Sequence, residues 1–388
     1  MWSLFALLAL RASGLSTFAV PNERKQPPLH LQRQKEGLDV YQSAGAEFYD
    51  AINLPGVRIE PTKEEHRLAS RIKASGNGEP GQWSQVQQIL SEYSGYSPLV
   101  LNAAMRAALN SRMYPEGARL FERLRRSNAP ITLPVYPTAL KLYGKLHDEG
   151  EVRKLWKELV HFEAVNYVVV QACIDAYADN GNITGAAEVL EYLENNTIQM
   201  NARHFTSAIN ACANSKENYR ARAAKFLLEK LLEKGLQPSI ITYSCVIRSM
   251  QQSEGQELLD LVSNMTAQGV KANNVFAENF FYQFLKQPKE GSWTSKAAVV
   301  ADLRKLPREN LKRAKDVMNE FLAAGVELNA SCRRIKAALE SLLWTEEKDD
   351  DSHDCTRRTV KSDSHATKAG HPWEVSVMAA NAMFLKNK

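Results

Sequence analysis

Arg106, Lys141 and Arg248 recur in this 388-residue sequence at the same place in a repeating unit, and Lys145 follows four residues after Lys141. Four residues is about one helical turn, so each shares a helix face with the residue four before it: Asn102, Pro137 and Ser244. Extended along the chain, the stripe reads Arg106, Lys141, Asp175, Asn210, Arg248 and Tyr282, half of it basic. Such a line of positive charge suits a polyanionic backbone laid across several elements. Contacts of that kind weaken by about 0.7 log units per log unit of salt for each phosphate neutralised.

Constellations for covalent chemistry are not found. His161-Phe162-Glu163 matches the His-x-Glu of a zinc deaminase, but the Cys-x-x-Cys that would complete the tetrahedral site does not occur. Asp175 and Asp179 share a helix face without a further carboxylate cluster to hold Mg²⁺. His353, Cys355, His365 and His371 have no metal-binding spacing. There is no phosphate-cradling glycine loop, Gly-x-Ser-x-Gly elbow or His-Glu-x-x-His. The expectation is a noncatalytic protein with no cofactor and no metal.

The elements that position the stripe are set by a period. Val100 to Met105, Val169 to Ile174, His204 to Ile209 and Thr242 to Ile247 fall into register at intervals near 35 residues. Taking the residue after the aromatic or apolar head of each unit as a frame gives Asn102, Pro137, Gln171, Thr206, Ser244 and Glu278, at intervals of 35, 34, 35, 38 and 34. A period in this range means stacked helical hairpins. In each unit an apolar first helix is followed by a polar turn, such as Asp179-Asn180-Gly181-Asn182, and then by an amphipathic second helix. The second helices carry a small-then-apolar core, as in Ala187-Glu188-Val189-Leu190 and Ala224-Lys225-Phe226-Leu227, with Ala118 and Ala314 placed similarly.

The closing turns are the sharpest signal. Lys234-Gly235-Leu236-Gln237-Pro238-Ser239, Gln268-Gly269-Val270-Lys271-Ala272-Asn273 and Ala324-Gly325-Val326-Glu327-Leu328-Asn329 each offer a glycine for a left-handed cap and an apolar residue to close on the helix. Asn128 holds the corresponding place upstream.

These residues resemble the pentatricopeptide repeat family, continuously over about 98 to 285, with a divergent unit on each side. The Gly-Leu-Gln-Pro-Ser close followed by Ile-Ile-Thr-Tyr is the most specific part, and the Trp, Leu-Gly and Tyr positions of tetratricopeptide repeats are absent. The resemblance implies an all-α, right-handed α-solenoid whose first helices line a concave face and bind single-stranded RNA, about one base per repeat. It implies base selection by each framed residue together with the last residue of its repeat: Asn102 with Thr132, Thr206 with Ser239, and Ser244 with Asn273. Ser244 with Asn273 would favour adenine, Thr206 with Ser239 a purine, and Asn102 with Thr132 a pyrimidine. Pro137 with Asn166, Gln171 with Asn201 and Glu278 with Asn329 depart from the pattern: proline has no hydrogen-bonding side chain, glutamine is long, and glutamate adds negative charge. The family also implies apolar residues three before each frame position, holding the bases from either side. Leu99, Val168, Ile241 and Val275 fit; Pro134 and Arg203 do not, although Arg203 could stack on a base. Arg106, Lys141, Lys145 and Arg248 are the candidates for phosphate contact.

The expected organisation is a targeting segment over 1–22, a polar linker over 23–62, repeats at 63–97, 98–132, 133–166, 167–201, 202–239, 240–273 and 274–329, a closing helix over 330–344, and a mostly disordered tail over 345–388. The apolar run from Trp2 to Leu10 is far short of the about 20 residues that span a bilayer, so it reads as removable, giving a mature chain without a membrane anchor. An insertion is expected over 286–307. A net charge of +5 and a pI near 8.8 suit a polyanion without amounting to a basic tail. The five cysteines are an odd number, and three sit on apolar helix faces, so they read as reduced packing residues. The implied protein is a monomeric adaptor for organellar transcripts in a plastid or mitochondrion, with single-stranded RNA and other RNA-processing proteins as partners. The alternative is a protein-interaction scaffold using the same groove.

Overall fold

The computed structural model describes residues 60–354 except 77, 79–80, 128–130, 162–164, 252 and 288–291, with side chains as far as 343. The sequence segments 1–22 and 23–62 lie almost wholly outside this range, as do Asn128, the Phe162-Glu163 part of the deaminase-like tripeptide, and the tail beyond Asp354. All sixteen elements in it are helices, and the described residues contain no strand. The chain divides into a unit ending at Glu340 and a second beginning at Ser341.

In the first unit, hairpins pair α1 (Lys63–Ser75) with α2 (Gln82–Ser91), α3 (Pro98–Asn110) with α4 (Tyr114–Arg126), and α5 (Val135–Lys145) with α6 (Glu149–His161). They continue with α7 (Tyr167–Asn180) and α8 (Ile183–Asn195), α9 (Ala202–Asn214) and α10 (Arg220–Glu233), and α11 (Ile240–Ser249) and α12 (Gly255–Ala267). Then follow α13 (Asn274–Phe284), α14 (Lys296–Leu303), α15 (Arg308–Ala323) and α16 (Ala330–Asp354). Each first helix packs on the next first helix, α1 on α3 and so on to α11 on α13, and second helices fill the outer layer. This is an α-solenoid.

The two helix types differ because their surroundings differ. In α7 the residues Val169, Val170, Ala172, Cys173, Ile174, Ala176, Tyr177 and Ala178 are all buried, because α5, α8 and α9 cover it on three sides. The outer helix α4 buries only Gly117, Phe121 and Leu124 and ends in Arg123, Arg125 and Arg126, which favour a helix C-terminus. In α4 the small residue at the close approach is Gly117, one position before the expected Ala118: a Cβ there would lie 2.6 Å from Leu142. Cys173, Cys212, Cys245 and Cys332 are buried and free.

The glycine turns close as the sequence leads one to expect. Gly235, Gly269 and Gly325 have φ of 69, 72 and 82°. The amides of Leu236, Val270 and Val326 then reach back to the carbonyls of Leu231, Met265 and Phe321 at 3.1, 3.1 and 2.9 Å.

One expectation is corrected and two details are added. The 286–307 insertion holds a helix of its own, α14, anchored by buried Trp293, Val299 and Leu303. The closing helix does not stop at Trp344 but continues as α16 through the acidic run to Asp354, where a disordered tail was expected. Glu and Lys are good helix formers, so a polar run can extend a helix already nucleated by packed residues. In addition, α5 starts at Val135 with Pro134 as its N-cap, so Thr132 is not the residue that caps the following helix. A proline at 137 is tolerated because it falls in the first turn, where the amide it lacks would have no helical partner.

Candidate functional site

The framed residues are the fifth of their helices in five of six repeats: Asn102, Gln171, Thr206, Ser244 and Glu278. The last residue of the repeat is the N-cap of the next first helix at Asn166, Asn201, Ser239 and Asn273. Their side chains accept from the amides of Val169, His204, Thr242 and Phe276 at 2.9, 3.1, 3.3 and 2.8 Å. Asn329 does the same for the Cys332 amide at 2.8 Å. These residues therefore hold the first helices in register whatever else they do. Of these asparagines, Asn201 donates its Nδ2 to the Tyr167 hydroxyl at 3.0 Å and Asn329 donates its Nδ2 to Glu278 at 2.8 Å.

At the fourth repeat the pair is internally wired. The Thr206 hydroxyl donates to the Ala202 carbonyl at 2.8 Å and meets the Thr242 hydroxyl at 2.7 Å, which in turn meets Ser239 Oγ at 3.2 Å. The Ser244 hydroxyl likewise donates to the Ile240 carbonyl at 2.8 Å. Both hydroxyls thus spend their hydrogen on the helix and keep lone pairs for an outside donor.

The other framed residues are committed elsewhere. Asn102 Nδ2 donates to the Pro134 carbonyl at 3.2 Å, and its Oδ1 is buried. Pro137 is buried in α5. Gln171 is only 6% exposed and donates to Asp175 and to Ser207 at 2.8 and 2.9 Å. Glu278 accepts from Tyr282 at 2.7 Å and from its own partner, Asn329, at 2.8 Å. These engagements follow from length: Gln171 and Glu278 reach neighbours that a serine would not.

At the flanking apolar positions, Val168, Ile241 and Val275 are 49, 64 and 53% exposed, among the few large hydrophobic side chains left open to solvent among the described residues. Leu99 instead packs on the core formed by α1 to α3. Arg203 is exposed.

Three of the basic residues, Arg106, Lys141 and Lys145, open on one cavity of about 700 Å³ that Val168, Asp175 and Asp179 also line. Arg106 and Lys141 are exposed and make no ion pair among the described residues. Lys145 Nζ is held by Asp179 of the next repeat at 2.7 Å. Arg248 donates to the Asn210 and Asn214 amides at 3.4 and 2.9 Å, partners that orient its charge without cancelling it. The Asp179 contact was missed from sequence, though continuing the stripe one turn, through Asn110, Lys145, Asp179 and Asn214, would have found it.

His204 sits between α7 and α9, 1% exposed, with Nδ1 accepting from the Asn201 amide at 3.4 Å. Burial pushes its pKa down to about 4, so the ring stays neutral near pH 7 and can serve as that acceptor. The described residues include no His, Cys, Asp and Glu group that could hold a metal ion, and no helix long and apolar enough to cross a membrane.

The repeat geometry has a matching sequence signature: residues 188–252, spanning α8 to α11, match the pentatricopeptide repeat domain model. That segment carries the signature of the family. Among solved structures, the pentatricopeptide repeat protein PPR10 in complex with an 18-nt psaJ RNA element aligns with a TM-score of 0.54 at 15% identity, over 91% of this chain and 48% of that one. A cysteine-to-serine triple variant of PPR10 in complex with an 18-nt PSAJ RNA element gives the same figures. PPR10 from maize aligns with a TM-score of 0.45 at 17% identity, over 78% of this chain and 46% of that one. The chain therefore spans about half the length of the structures it matches. No curated protein matches it.

Proposed function

We propose that the chain is a noncatalytic, single-stranded RNA-binding adaptor that acts on organellar transcripts in their processing, stabilisation or translation. The observation that carries this reading is the exposure of Ile241 and Val275 at one register of the successive first helices α11 and α13. Apolar side chains left in solvent at that spacing offer faces for bases to stack against, at about 1–3 kcal/mol per base. The uncompensated cations Arg106, Lys141 and Arg248 lie seven residues beyond that register in their own helices, about two turns along, where a backbone would run. Ser244 with Asn273 and Thr206 with Ser239 are the pairs best able to meet a base edge, through hydroxyl lone pairs and, at Asn273, an amide donor. PPR10, which shares the fold, was solved with a bound RNA element.

The alternative of a protein-binding groove drew on Pro137, Gln171 and Glu278. Gln171 and Glu278 are bonded within the solenoid and Pro137 is largely buried in α5, so their departure from the usual residues has an internal reason that needs no protein ligand.

The test is binding to a random single-stranded RNA pool across a salt series. Substituting Arg106, Lys141 and Arg248 together by Glu is expected to abolish binding at moderate salt. Replaced singly, each cation that neutralises a phosphate should flatten the salt slope by about 0.7. Absence of wild-type binding at low salt, or an unchanged triple variant, would overturn the proposal. Fusing residues 1–62 to a fluorescent reporter tests the organellar assignment.

A further inference from the structure

The six repeats are unequal along the groove. The unit headed by α7 differs from its neighbours in four ways that act together. Its framed residue, Gln171, is turned inward and bonded to Asp175 and Ser207. Ser207 itself donates to Asp175 at 2.6 Å, so the three side chains form a closed set between α7 and α9. The stripe position that is basic in the two preceding repeats is Asp175 here, and the next turn of the same face is Asp179. Both aspartates line the cavity that holds Arg106, Lys141 and Lys145. Asp179 also reaches across to Lys145, cancelling the cation nearest to it.

Resting on the RNA-binding reading above, we propose that the α7 repeat is a repulsive gap: it reads no base, Asp175 and Asp179 push the phosphates away, and the strand is gripped in two segments. One segment lies over Arg106 and Lys141. The other lies over Thr206, Ser244 and Arg248. A phosphate entering the gap would meet a carboxylate and would have to displace Asp179 to reach Lys145. A like charge at the surface costs little in itself, but without it Lys145 is free to pair with phosphate, which adds a counterion-releasing contact.

The experiment measures the affinity of wild type, Asp179→Asn and Asp175→Asn/Asp179→Asn for a random single-stranded RNA pool over a salt series. Asp260→Asn, on the outer helix α12, serves as a control for net charge; Asp260 is exposed and, among the described residues, accepts from Gln256 on its own helix. Asp179→Asn is expected to tighten binding about fivefold near 0.1 M salt and to steepen the salt slope by about 0.7, with Asp260→Asn close to wild type. The single variant keeps the test valid if the double variant, which disturbs the Gln171 and Ser207 bonds, loses stability. Equal or weaker binding by Asp179→Asn, or an equal gain from Asp260→Asn, would overturn the gap while leaving the RNA-binding reading intact. A wild type that binds no RNA would overturn both.

Discussion

Arg112, His147, Thr197 and Lys286 occupy the left-handed region with φ of 59, 55, 54 and 50°, each just past a helix C-cap, where glycine is the usual residue. The backbone reason is the same at all four: the next amide must fold back, as Ile198 does onto the Leu193 carbonyl at 2.9 Å. A Cβ in this region costs roughly 1–2 kcal/mol, and the β-branched Thr197 is the least suited of the four. Thr197→Gly is therefore expected to stabilise the fold by about 1 kcal/mol, after allowing for the extra freedom glycine gains when unfolded. Urea denaturation measures it, and an unchanged or lower midpoint would count against this view of the turn. The glycine caps were legible in the sequence because Gly235, Gly269 and Gly325 carry the signal themselves. The four non-glycine turns were not, because nothing in Arg, His, Thr or Lys marks a left-handed residue.

At the scale of helices, packing overrules propensity. Gly144 lies inside α5, where alanine would raise intrinsic helix propensity by about 1 kcal/mol. Its absent Cβ, however, would sit 2.8 Å from Ala176 Cα on α7 and 3.0 Å from the Ala176 side chain. Neither backbone can yield without moving a whole helix, and overpacking of this kind costs about 1–3 kcal/mol. Gly144→Ala should thus lower the thermal midpoint. Gly150→Ala in α6, where a Cβ would meet nothing closer than Asp148 at 3.5 Å, should not. Equal effects from the two would show that helix propensity decides. The alternation of first and second helices was readable from the 35-residue period, since apolar faces recur with it. Their ends were less so: α14 within the insertion and the run of α16 to Asp354 rest on tertiary anchoring that a polar sequence does not display.

For the molecule as a whole, each hairpin in the first unit packs chiefly on its neighbours in sequence, so stability is close to a sum of local and nearest-neighbour contributions. A lesion where α5 meets α7 should stay local. Amide hydrogen exchange on Gly144→Ala is expected to show protection falling in α5 and α7 and holding in α11 and α13; a uniform loss would mean the array unfolds as one unit. The groove itself was only partly legible. The stripe of Arg106, Lys141 and Arg248 could be read from spacing, but the inward turn of Gln171 and the capture of Lys145 by Asp179 could not, because both depend on the adjacent repeat.

The N-caps limit how such a protein can be rewritten. Asn201, Ser239, Asn273 and Asn329 each present an acceptor one atom or two from the backbone, and its loss would cost the following helix about 0.5–2 kcal/mol. Capping favours Asn, Asp and Ser, then Thr and Gly. The vocabulary available for recoding a repeat at that place is accordingly about five letters wide, narrowed by the folding of the next helix before any ligand is considered.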